Sequence, residues 1–335
     1  MVDLMLDDLI GLGKKANKIK ESKWGKKVFF IKNIHLNYTN ICVSKCKFCA
    51  FAKDEGDDDS YSMDIDDIIG YIAKNGIDAN EIHIVGGLHP HHKFDFYVDV
   101  VKSIKEHFPE KVVKAFSAVE IDYFSKISDL SVQDVLKKLK SAGLDMMPGG
   151  GAEIFEPKVR NIICPEKISG DRWLEIVEIA HREGIKTNAT LLYGHLESFE
   201  DIVRHLEKIR NLQDKTGGFI AFIPLSFHPE NTFLSHLKPA TGVDDLKVIA
   251  LSRIMLDNVP HIKAYWVMLG EKTAQVALKF GADDLDGTIV REKITHSAGA
   301  KSKEGLTLDE LVFMIKSANL IPVERDSFYN EIRVY

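Results

Sequence analysis

Short apolar runs alternate with amphipathic stretches along most of this chain. The runs Ile34–Leu36, Glu81–Val85, Lys111–Ala115, Leu144–Met147, Lys186–Leu192, Phe219–Leu225 and Ile262–Trp266, with a shorter one at Ala282–Leu285, predict strands. The middle ones are rich in β-branched or aromatic residues and bounded by Gly or Pro. Between them lie helices with readable ends. Ser131 with Asp134 opens Val132–Ala142, and Gly143 stops it. Asp171 opens Arg172–Arg182, whose Trp173, Ile176, Val177 and Ala180 share a face, and Gly184 stops it. Ser198 with Asp201, and Thr307 with Glu310, open two more. These are capping-box and C′-glycine signals. Eight strand–helix units in 335 residues predict an α/β fold, a (β/α)8 TIM-type barrel. Residues 1–335 read as a single domain, with 1–27 as an N-terminal cap and 306–335 as a C-terminal helix and tail.

In such a barrel the loops that follow the strands build the active site. The unusual stretches all fall there: Gly86-Gly87 after the second strand, Pro148-Gly149-Gly150-Gly151-Ala152-Glu153 after the fourth, Tyr193-Gly194-His195-Leu196-Glu197 after the fifth, and Pro224 to Asn231 after the sixth. After the first strand come Cys42, Cys46 and Cys49, in the spacing C-x3-C-x2-C; the remaining cysteine, Cys164, is far away in sequence. Thiolates are soft ligands, and such crowding wraps a loop around a metal or an iron–sulfur cluster. Three ligands leave one metal position open for chemistry, whereas a closed zinc site or closed cluster takes four. A zinc knuckle completed by a distant His, with no catalysis, and an electron-carrying cluster completed by Cys164 remain the alternatives.

Charge and composition narrow the partners. A net charge of −6 without a basic stripe argues against nucleic acid. No apolar run reaches the length of a membrane helix. The start carries Asp3, Asp7 and Asp8 and lacks the basic region of a signal peptide. Clustered cysteines are no disulfide framework, and thiolates that hold a cluster suit a reducing cytoplasm. The acidic loop Asp54–Ser60 reads as a solvated surface. Among histidines and arginines near strand ends, His228 and Arg253 are favoured for function; Arg160 is a further candidate.

The cysteine triad, with Phe48 before its third member, resembles the signature of radical S-adenosylmethionine (SAM) enzymes. That resemblance implies a 4Fe–4S cluster on Cys42, Cys46 and Cys49 whose open iron is chelated by SAM, here a co-substrate. It implies SAM contacts at Phe48, at Gly86 and Gly87, at Glu153, and at Tyr193, Gly194 and Glu197. The likeness extends over nearly the whole chain. Asn37-Tyr38-Thr39-Asn40, Gly86-Gly87-Leu88-His89-Pro90 and Pro148 to Ile154 are similar to the group holding two menaquinone enzymes of the futalosine pathway and the deazaflavin (FO) synthases. Within it, Lys114–Ile121, Thr187–Thr190, Phe222–Leu225 and His261–Gly270 resemble the aminofutalosine synthases rather than the dehypoxanthine futalosine cyclases. Arg291-Glu292 departs from that pattern, where two acidic residues are expected.

The resemblance implies a transferase that adds the 5′-deoxyadenosyl radical from SAM to 3-[(1-carboxyvinyl)oxy]benzoate, giving 6-amino-6-deoxyfutalosine for menaquinone biosynthesis. It also implies an electron donor such as flavodoxin or ferredoxin. The substrate's two carboxylates need partners in a dry site. Guanidinium forks suit them best, which makes Arg253 and Arg160 the expected carboxylate ligands, with His228 near the enol ether.

Overall fold

The computed structural model describes residues 8–289 and 292–335. Asp3, Asp7 and Arg291, which enter the sequence reading, lie outside the described residues. In chain order come α1 (Leu9–Trp24), β1 (Lys27–Ile31), β2 (Asn33–Leu36), α2 (Ile65–Asn75), β3 (Glu81–Ile84), α3 (Phe94–His107), β4 (Val112–Ala115), α4 (Ala118–Ser128), α5 (Val132–Ala142) and β5 (Met146–Met147). Then follow α6 (Pro157–Ile163), α7 (Gly170–Arg182), β6 (Lys186–Tyr193), α8 (Phe199–Thr216), β7 (Phe219–Ser226), α9 (Gly242–Met255) and β8 (His261–Ile262). The chain closes with α10 (Trp266–Leu269), α11 (Glu271–Ala277), β9 (Asp284–Gly287), α12 (Ile294–Ser297), α13 (Leu308–Ser317), β10 (Ile321–Arg325) and β11 (Glu331–Val334).

Strands β2 to β8 form one seven-stranded sheet in sequential order, every pair parallel. The eighth position belongs to β9. Lys263, just past β8, bridges Asp284 in parallel, and the other side of β9 pairs with β1. Since β1 runs through Lys32 into β2, the sheet returns to its start. Thr288 N–H donates to Ile31 O at 3.1 Å, and Ile289 N–H to Asn33 Oδ1 at 3.0 Å. The fold is the expected (β/α)8-type barrel.

Three features depart from the sequence reading. Lys27–Ile31, where the expected N-terminal cap ends, is an additional strand, and it pairs with β10 as well as β9. The expected C-terminal tail is an antiparallel pair, β10–β11, so a second, four-stranded sheet ordered β11-β10-β1-β9 leans on the barrel. Ile262–Trp266, expected as one strand, ends at Ile262; Trp266 opens a short helix and its indole N–H donates to Gly287 O at 2.9 Å.

The caps read correctly at Ser131, Ser198 and Thr307. At α7 the cap is Ser169, not Asp171: its hydroxyl accepts from Arg172 N–H at 3.1 Å, and Asp171 sits in the first turn, where an acid suits the dipole. No described helix is long and apolar enough to cross a membrane.

Candidate active site

One cavity of about 310 Å³ opens among the loops at the carboxyl ends of the strands, near the lower end of small-molecule sites. Cys42, Cys46 and Cys49 line it, together with Phe48, Gly86, Gly87, Glu153 and His228. The fold thus brings these sequence-predicted residues together.

The cysteine loop is built against β3 and α6. Tyr38, fully buried, donates through its hydroxyl to Glu120 Oε1 at 3.1 Å and Gly87 O at 3.3 Å. A Cβ on Gly87 would lie 2.2 Å from Ile41 O, and one on Gly86 would lie 2.6 Å from the Tyr38 ring. Both positions must therefore be glycine for the loop to close on the strand. Leu88 N–H then points at Cys42 Sγ at 3.3 Å, and Lys47 N–H ties the loop to Ile163 O at 2.7 Å. Burial pushes the Cys46 thiol up to about 12, against the pull of Lys167. Burial likewise raises Cys49, opposed by backbone N–H groups of Ala52 and Phe51. Loading iron must displace those protons.

Among the described residues, no three His, Cys, Asp or Glu side chains converge on one ion position. Three separate thiols on one cavity wall, cushioned by a glycine cradle, fit a multi-iron cluster bound one thiolate per iron.

The Gly149-Gly150-Gly151 loop is pinned rather than loose. Trp173 Nε1–H donates to Gly150 O at 3.1 Å. A Cβ on Gly149 would meet the Ala189 backbone at 2.8 Å, and one on Gly151 would meet Val119 at 2.4 Å. Only Gly150 has room on the cavity side. Glu153 lines the cavity with a left-handed φ of 47°, an arrangement that a non-glycine residue adopts at a cost. Its Oε1 takes a hydrogen bond from Lys167 Nζ at 2.6 Å. Burial alone would raise Glu153, but Lys167, with Arg160 and His195 beside it, outweighs burial and holds the carboxyl below its usual range. Lys167 also stands 5.0 Å over the Phe48 ring. Sequence reasoning missed it, since a lone Lys three residues after Cys164 carries no pattern.

Several expected residues do not reach the cavity. The Arg253 guanidinium is fully buried where β8 and β9 begin, at the far end of the barrel. It donates to Gly281 O at 2.8 Å, Pro260 O at 3.1 Å and Asp283, which also meets His261. The expectation failed because Arg253 belongs to α9, whose last turn sits beside strand beginnings. Arg160 is likewise consumed, donating to Gly151 O at 2.9 Å, Ala152 O at 2.6 Å and Ile168 O at 2.7 Å; it clamps the glycine loop. Tyr193 gives its hydroxyl to Asp245 at 2.7 Å, and Glu197 accepts from Gly194 and His195 N–H, closing its own turn. Arg160, Tyr193, Gly194 and Glu197 thus stand behind the wall. His228 is on the wall, its Nε2 2.9 Å from Met268 O.

Glu292, also on the wall, accepts Thr295 N–H through both oxygens at 3.0 Å and holds His296 Nδ1 at 3.0 Å. The Glu292 contact, with Ser302 O on the other ring nitrogen, raises His296 from 6.5 to about 9. A raised imidazole stabilises the fold fully below pH 6.5 and loses that contribution as pH rises to about 9. Urea midpoints for the wild type should therefore fall across this window, and His296→Gln should flatten the fall; equal slopes would exclude the pair as its origin.

The family model described as "Radical SAM superfamily" matches residues 36–209, and "CofH/MqnC C-terminal region" matches residues 216–334. The chain belongs to the radical SAM superfamily. As a radical SAM enzyme it uses a 4Fe–4S cluster and SAM. It is 46% identical over 335 residues to aminodeoxyfutalosine synthase of Thermus thermophilus, covering 98% of this chain and 90% of the relative. It is 42% identical over 326 residues to 5-amino-6-(D-ribitylamino)uracil–L-tyrosine 4-hydroxyphenyl transferase of Methanococcoides burtonii, covering 95% and 90%. Among solved structures, methylornithine synthase superposes with a TM-score of 0.76 at 16% identity, covering 95% of this chain and 91% of that one. The FeFe-hydrogenase maturase HydG from Carboxydothermus hydrogenoformans gives 0.73 at 16%, covering 97% and 75%. The radical SAM barrel is thus shared where sequences have diverged widely.

Proposed function

We propose that this radical SAM enzyme is an aminodeoxyfutalosine synthase, a transferase that joins the adenosyl group of SAM to 3-[(1-carboxyvinyl)oxy]benzoate with loss of carbon dioxide. The observation that carries the reading is the cavity itself: thiols and a glycine cradle at one end, a floor of His35, His83 and Lys114 at the other, and an apolar wall between. Near-full-length similarity to the Thermus enzyme supports the choice of substrate.

In this reading Cys42, Cys46 and Cys49 hold the 4Fe–4S cluster, which supplies the electron that cleaves SAM. The backbone at Gly86-Gly87 approaches the methionine part of SAM, free of side chains. Glu153, kept ionised by Lys167, accepts from a ribose hydroxyl, and Phe48 packs over the nucleoside. His228, with one ring nitrogen fixed on Met268 O, presents its other edge to the enol ether. Leu192, Ile223, Leu225 and Phe227 form an apolar wall that gives a carbon radical few competing partners. A small protein carrying flavin or iron–sulfur, such as flavodoxin or ferredoxin, delivers the electron.

The test is the fate of the adenosyl carbons. With labelled SAM, a reductant and 3-[(1-carboxyvinyl)oxy]benzoate, label should enter the coupled product, and little free 5′-deoxyadenosine should form. The 42% identity to the tyrosine-dependent transferase favours one alternative. If label appears only in 5′-deoxyadenosine, and L-tyrosine with 5-amino-6-(D-ribitylamino)uracil is consumed instead, that alternative is correct.

A further inference from the structure

Beneath the SAM end, a single register row runs across the barrel floor: His35 on β2 pairs with His83 on β3, and His83 with Lys114 on β4. Successive strand residues alternate in facing, so a shared row points one way, and all three side chains line the cavity. Interiors of this fold are normally filled by layers of bulky apolar residues. A polar row there is costly unless it is satisfied.

This row is not satisfied by the protein. His35 Nε2 and His83 Nδ1 are buried with no hydrogen-bond partner, although the rings lie 4.6 Å apart. On the facing wall, Asn188 Oδ1 is also unpartnered. An amide can be turned to offer its NH2 instead. Lys114 gives one hydrogen bond to Glu81, and an ammonium has three to give. The nearby Asp286 already faces Lys263 at 3.1 Å. The floor thus holds two internal ion pairs that balance, plus ring and amide groups without partners that can be set as donors and two further ammonium N–H groups. A hydroxyl cannot use so many donors, whereas a carboxylate offers about four lone-pair sites.

We infer that the floor is the subsite for a carboxylate on the end of the substrate away from the reacting carbon, held by His35, His83 and Lys114. The inference rests on the function proposed above, under which this group is the ring carboxylate of the enolpyruvyl benzoate. The vinyl end then points up toward SAM, and the floor sets its height. Specificity for the benzoate is therefore written in strands β2, β3 and β4 rather than in the loops.

The test uses cluster-loaded enzyme with SAM bound and no reductant, so that nothing turns over. It is titrated calorimetrically with 3-[(1-carboxyvinyl)oxy]benzoate and with the same compound lacking the ring carboxylate. The wild type should prefer the benzoate by about 10- to 100-fold, the scale of a buried charged hydrogen bond. His35→Leu and His83→Leu each remove a neutral ring and strand no charge. Each should narrow the preference toward unity while SAM affinity holds, and His83→Asn, which restores a donor, should recover part. If both leucine variants keep the full preference, or the wild type shows none, the subsite is overturned; should one variant fail to fold, the other decides. A wild type that prefers the benzoate but does not consume it after reduction overturns the proposed function and leaves the subsite standing. Binding of neither compound overturns both.

Discussion

Alanine at Cys42, Cys46 or Cys49 should give a folded protein that stays colourless after anaerobic reconstitution and cleaves no SAM. In the proposed arrangement each thiolate would serve a different iron, so no neighbour could substitute without distorting the loop. Cys164→Ala is the decisive control, because Cys164 is close at hand. Its own N–H bonds Arg160 O at 2.9 Å, and the adjacent Ile163 O holds Lys47 of the cysteine loop. A fourth thiolate there would close the cluster and block SAM. Cys164→Ala should keep the brown colour, the broad visible absorption and full SAM cleavage. Loss of the cluster in a folded Cys164→Ala protein would instead identify an electron carrier with four thiolates.

Arg253→Met should cost about 3–5 kcal/mol of stability, read as a fall in the urea midpoint, because it leaves the buried Asp283 carboxylate without its main counter-charge. Asp283 is fully buried, and among the described residues its carboxylate would keep hydrogen bonds from His261 and the Ile262 N–H. Arg253→Met with Asp283→Asn should recover part of the loss, since the stranded charge is then gone. Whatever remains folded should cleave SAM and bind the enolpyruvyl benzoate normally. Weakened substrate binding at unchanged stability would return Arg253 to the active site, where the sequence had suggested it.

The contrast between these two predictions marks what the sequence could convey. Cys42, Cys46 and Cys49 were legible because their chemistry is local: spacing within one loop is enough. The close approach at Gly86 and Gly87 and the caps at Ser131, Ser198 and Thr307 were legible for the same reason, since backbone close approach and capping act over a few residues. Arg253 and Arg160 were misplaced because a guanidinium's partner depends on which end of the barrel its helix reaches, and that is set by loops far along the chain. Lys167 and the His35–His83–Lys114 row were invisible for a related reason. Their meaning comes from side-by-side register of strands separated by whole helices. The second sheet was missed because β1 and β10 lie outside the run of strand–helix units, near opposite ends of the given sequence, and gain their meaning only when they pair.

That pairing has a consequence for how the chain is made. Lys27 lies beside Ile321, so β1 finds this neighbour only after every barrel strand between them has been translated. Contacts between such distant segments close slowly. Until then the apolar strand Val28–Ile31, wholly buried in the finished molecule, has an open edge that can pair with other chains. The emerging polypeptide therefore stays exposed to aggregation until β10 arrives, and chaperone demand should be set by that arrival rather than by the barrel strands that precede it.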